Sequence, residues 1–127
     1  MLVQRNPHEA YRRVDFDARV AGAAPQELVL LCLEEFVIAL GSAVVAHERA
    51  DNVFKSKSLT RALSAITALQ LGVDASSTIA GALAQLYEAA RRTVLDNVLK
   101  FDAGAVGAIR QDFIEISRAM TAQARAA

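Results

Sequence analysis

The chain has no tryptophan, a single cysteine, two histidines, two prolines and six glycines among its 127 residues. Cys32 has no intrachain disulfide partner and lies in an apolar run, which is expected of a buried thiol in a reducing compartment. One cysteine and two histidines are too few for a Cys/His zinc site within one chain. So little proline and glycine leaves scant room for the turns of a β-sandwich, and no long stretch alternates cleanly between polar and apolar residues. An excess of one charge is missing as well. Lys+Arg number 14 and Asp+Glu 14, so the simplest electrostatic case for nucleic acid or an anionic membrane surface falls away. The opening residues turn polar at once, without the apolar core of a signal peptide. The most lipid-like stretch, Leu28 to Ala46, carries Glu34 and Glu35 at its centre. A buried helix of a soluble, cytoplasmic protein is the expectation, with no membrane insertion.

What is present is a chain that is 54% hydrophobic and rich in alanine, which favours helices packed at close range. Four helical segments follow an N-terminal arm. The first starts at Pro25, suited to the first helical turn, with Glu27 meeting the helix dipole, and runs to about His47. Its two adjacent apolar lines make it the most enclosed helix, and Gly41-Ser42 permits a close crossing or a slight bend. The second begins after Asp51-Asn52, is expected to fray through Phe54 to Lys57, and ends at Gly72. Residues 73–78 connect to a third helix from about Ile79 to Lys100. Asp102 caps a fourth, whose stripe Val106, Ile109, Phe113, Ile116, Met120 is the seam of a left-handed bundle. The fold expected is all-α, an antiparallel four-helix bundle (25–127) with an N-terminal arm and linker (1–24) docked on it.

Such a bundle has no strand-end crevice or phosphate loop, so function must come from a groove, an interhelical pocket or an exposed apolar surface. Glu34-Glu35 is the only adjacent carboxylate pair in a hydrophobic run, yet the Glu-x-x-His motifs of a di-iron bundle are missing. The pair reads as solvent-facing carboxylates with partner arginines rather than as a metal site. No nucleophile elbow or Cys-His catalytic pattern occurs, so no enzyme and no cofactor is expected. Arg12-Arg13 and Arg91-Arg92 are too short for a nucleic-acid footprint and suit local ion pairing.

The arm is more informative. Tyr11, Val14, Phe16 and Val20 are apolar residues on a segment otherwise filled by Arg12, Arg13, Asp15, Asp17 and Arg19. Some or all of them should dock on the bundle, either stapling the terminus or covering a groove until a partner arrives.

Ala10-Tyr11, Val14 and Val20, followed by Ala24-Pro25 and Leu28-Val29, resemble the opening of the flagellin-specific export chaperones of the flagellar type III secretion system. The resemblance continues at Val73-Asp74, Ile79-Ala80, Leu86-Tyr87-Glu88, Arg92 and Asp102, and covers about Ala10 to Met120. It implies a cytoplasmic helical bundle that binds the disordered C-terminal segment of flagellin. Such a chaperone blocks premature polymerisation and aids secretion in concert with other flagellar export components. It also implies that the client folds onto an apolar surface of the middle helices, which the arm occupies when no client is present. On that footing the client contacts are Tyr11 and Val14 on the arm, Ile66, Leu69 and Val73 on the second helix, and Leu83, Tyr87 and Val94 on the third. Tyr87 is singled out as a half-exposed contact, because its hydroxyl needs water or a partner. The chain departs from the family pattern at Leu31-Cys32-Leu33-Glu34-Glu35, where an aromatic and a glycine are usual, and at Met120, where a tryptophan is usual. These positions bear on which client segment fits. The competing expectation is a self-associating adaptor, with leftover apolar faces meeting in a homodimer or holding a different protein client.

Overall fold

A computed structural model describes residues 7–22 and 24–126 and is helical throughout, with no strand among the described residues. Five helices lie among the described residues: α1 (Pro7–Gly22), α2 (Pro25–Glu48), α3 (Asn52–Leu71), α4 (Ala80–Leu99) and α5 (Ala103–Ala126). The arm, for which no secondary structure was expected, is therefore itself a helix. Arg12, Phe16 and Val20 recur every fourth residue and are its partly buried line.

The helix ends follow local chemistry. Pro25 opens α2 with Glu27 in its first turn. The turn out of α2 passes through Ala50 at φ 56°, and the Asp51 amide reaches back to the Ala46 carbonyl at 2.9 Å. Asp51 then caps α3, its carboxylate accepting from the Phe54 amide at 3.0 Å. With that cap α3 is helical from Asn52, so the expected fraying at Phe54 to Lys57 does not occur. Gly72 follows the last turn of α3, and Val73 lies beyond it in the connector rather than on the helix. There the Asp74 carboxylate accepts from the Ser76 hydroxyl at 2.7 Å and amide at 2.9 Å, and these bonds hold its pKa below the ordinary aspartate value. Asp102 accepts from the amides of Gly104 and Ala105, starting α5. Buried Asn97 ties this corner together by donating to the Thr93 carbonyl and accepting from the Asp102 amide.

Packing closes a ring: α2 lies against α3 and α5, and α4 against the same two. Inside it Phe36 and Phe113 meet at 4.7 Å between ring centroids, with Tyr87 6.2 Å from Phe113. Leu33, Leu40, Ile66, Val94 and Val106 fill the remainder, and buried Ala39, Ala43, Ala62 and Ala90 keep the helices close. Gly41 serves the close approach expected of it, since a Cβ there would stand 2.9 Å from Arg110 Nε, which donates to the Val37 carbonyl at 3.2 Å. By length and composition α2 could cross a membrane, but here it is the most embraced helix, with α1, α3 and α5 all packed against it.

Candidate partner-binding cleft

α1 touches the remainder of the chain through α2. Its seat is polar at both ends. Arg12 Nη2 donates to Glu35 Oε1 at 3.3 Å, and Arg19 Nη1 donates to Glu34 Oε1 at 3.3 Å. Glu35 is shared, because Arg61 of α3 donates to the same oxygen at 2.6 Å. The carboxylate pair thus has the arginine partners expected of it, but only Glu34 faces solvent as expected; Glu35, 13% exposed, is enclosed between Arg12 of α1 and Arg61 of α3. Arg12 works across helices, whereas Arg91 pairs locally with Glu88 one turn away.

Between these ion pairs α1 does not close against its seat. On the α3 side lies a cleft of about 490 Å³, with Phe16 and Val20 from α1, Leu28, Val29 and Cys32 from α2, and Ala65, Ala68 and Leu69 from α3. On the other side lies a smaller one of about 180 Å³, bordered by Leu31, Ile38 and again Phe16. The two clefts leave α1 short of the tight interdigitation of a core helix, with charge pairs supplying much of the hold.

The cleft carries two unusual polar groups. Arg61 lines it, and its Nη1 is buried with no hydrogen-bond partner among the described residues. Cys32 lines it too, half-buried rather than fully enclosed, and burial raises its thiol pKa above the usual value, with the Glu35 charge adding to the effect. Burial likewise raises the Tyr87 hydroxyl, with a smaller contribution from Cys32. Among the described residues no three His, Cys, Asp or Glu side chains gather as metal ligands.

The residues expected to contact a client fall into three groups. Leu69 borders the cleft. Ile66, Tyr87 and Val94 are sealed in the core, and Val73 and Leu83 pack against it. Tyr87, 2% exposed, is thus not the half-exposed residue it was taken for, because its ring is needed beside Phe113. Tyr11 and Val14 are 77% and 68% exposed and do not dock; helical geometry turns them away from the face that carries Phe16. The cleft accordingly lies among α1, α2 and α3 rather than between α3 and α4, whose facing stripes are consumed by the core. Leu28, Val29 and Cys32 lie on the helix expected to be the most enclosed yet line the cleft, and Arg61 carries no signal in the sequence, since its place depends on α3 lying beside α2.

Comparison with protein families matches residues 7–125 to the family described as flagellar protein FliS. The chain belongs to the FliS family, the flagellin export chaperones. The match takes in α1 from its first residue, so the helix over the cleft is part of what the family model covers. A comparison with curated proteins gave no significant match. Membership of FliS implies flagellar, export-related protein partners and a chaperone role.

Proposed function

We propose that this protein is a cytoplasmic export chaperone, an antiparallel four-helix bundle whose N-terminal helix covers the site for the disordered C-terminal segment of flagellin. The observation that carries this reading is the 490 Å³ apolar cleft beneath α1, held at its edges by ion pairs, in a member of a flagellar chaperone family. A disordered client loses conformational entropy on ordering, and burying apolar surface in the cleft offsets that loss. Displacing α1 enlarges the surface on offer without unpacking the ring of α2 to α5. Leu69 meets the client directly in this scheme, Tyr11 and Val14 add exposed apolar contacts, and Ile66, Val73, Leu83, Tyr87 and Val94 form the packed wall behind. The chaperone effect is steric: a client segment folded onto the bundle is withdrawn from polymerisation, and no catalytic group or cofactor is called for.

The test is co-purification of the full chain with the C-terminal segment of a flagellin from the same genome. A stable complex on size exclusion is expected, and separate elution at micromolar concentrations would contradict the proposal. Exposed Leu95, Val98 and Leu99 on the last turns of α4 favour a second reading, self-association of bundles. Light scattering that finds only monomer across a concentration series would remove it.

A further inference from the structure

We propose that the seat of α1 selects an amphipathic helix bearing two basic residues two turns apart, and that the partner segment which displaces α1 presents such a pair to Glu34 and Glu35. This deepens, and rests on, the reading of the cleft as the client site. The template is α1 itself. Arg12 and Arg19, seven positions apart, converge on the adjacent carboxylates of Glu35 and Glu34. Phe16 stands between them in sequence and borders both clefts, and Val20 faces the larger. The seat therefore reads a basic residue, an aromatic four positions on, a second basic residue three further, and an aliphatic one next.

The carboxylates make the basic positions selective. When α1 leaves, Glu34 loses the cation of Arg19 and Glu35 that of Arg12, while Arg61 remains on Glu35 and keeps it in place. An apolar segment without cations would keep Glu35, 13% exposed, withdrawn from water with Arg61 as its one cation, which is costly for a carboxylate, and would leave the half-exposed Glu34 without the ion pair that Arg19 supplies. An acidic segment would meet like charge and be rejected. A segment with basic residues at the template spacing restores both pairs and fills the cleft with its aromatic and aliphatic residues. The occupant is thus a foreign, basic, amphipathic helical segment.

The probe is a fluorescent peptide of residues 7–22, compared with the same peptide carrying R12E and R19E. Each is titrated by anisotropy into the full chain bearing R12E/R19E, whose own α1 is repelled from the seat. The wild-type peptide is expected to bind at least about tenfold tighter at low salt, with the gap narrowing as salt rises. In a chain carrying R12E and E34R, whose own residues 12 and 19 both meet like charge on the seat, the preference at position 19 should reverse, so that a peptide with R19E alone binds better than wild type. Equal affinities would overturn the basic pattern while leaving an apolar client site. No binding of either peptide to a chain of unchanged circular dichroism would overturn the client site as well. If the wild-type chain dimerises with concentration and R19E abolishes the dimer, the seat belongs to α1 of a second copy, and the foreign segment is overturned.

Discussion

Glu35 Oε1 accepts from Arg61 Nη2 at 2.6 Å, joining α2 to α3 at the floor of the cleft, with the two side chains 13% and 12% exposed. Removing the cation alone leaves a largely buried carboxylate with a weaker partner in Arg12. Arg61→Met should therefore lower stability by about 2 kcal/mol, read as a fall in the urea midpoint at unchanged slope. Replacing both partners, E35Q with R61M, should cost less than the sum of the two single changes, because the orphaned charge is gone.

The hold on α1 is expected to be electrostatic and weak. R12A/R19A should change global stability by less than about 1 kcal/mol, since the pairs lie at the edge of the fold. The same change should speed amide exchange along residues 10–22. High salt should act on the wild-type chain in the same direction. Deleting Met1 to Arg19 should leave most helicity in place and raise the fluorescence of an apolar dye. Loss of helicity across the whole chain would instead make α1 a structural member of the bundle.

Much of the fold was legible because several boundaries are written in single residues: Pro25 at the start of α2, Gly72 after α3 and Asp102 as the cap of α5, whereas the Asp51 cap went unread and fraying was expected in its place. Their signals are local and need no knowledge of the tertiary fold. The helicity of α1 was less visible, since its inward line of Arg12, Phe16 and Val20 mixes a charge with two apolar residues, and the eye follows Tyr11 and Val14 instead. The cleft was harder still. Whether an apolar residue at helical spacing seals a core or lines a groove depends on which helix lies opposite. Tyr87 shows this, since its hydroxyl argued for a surface while the neighbouring Phe113 drew the ring inside. Arg61 became significant only when packing carried it to Glu35, 26 residues away in sequence.

Cys32 reports on the state of the cleft. The thiolate is the reactive form, and a raised pKa reduces its fraction near neutral pH. Alkylation of the wild-type chain at pH 8 should be slower than that of a free thiol, and R12E/R19E should accelerate it. The sign for stability follows from the same shift. The folded protein holds the thiol proton more tightly, so the contribution of this group is complete below the usual thiol pKa and is lost as pH rises from there through the folded value.

Ala50 occupies the left-handed region, where a Cβ is crowded by the backbone and glycine is not. Ala50→Gly should stabilise the protein by about 0.5 to 1 kcal/mol in thermal or urea unfolding. It should leave partner binding unchanged, because the α2–α3 turn lies away from the residues that line the cleft.

The central claim is that a client takes the place of α1 over α2 and α3. Hydrogen exchange of the full chain, with and without the flagellin C-terminal segment, tests it most directly. On forming the complex, amides of residues 10–22 should lose protection while those near Leu28, Cys32 and Leu69 gain it. A complex that forms with α1 fully protected, and with the gain elsewhere, would contradict the account.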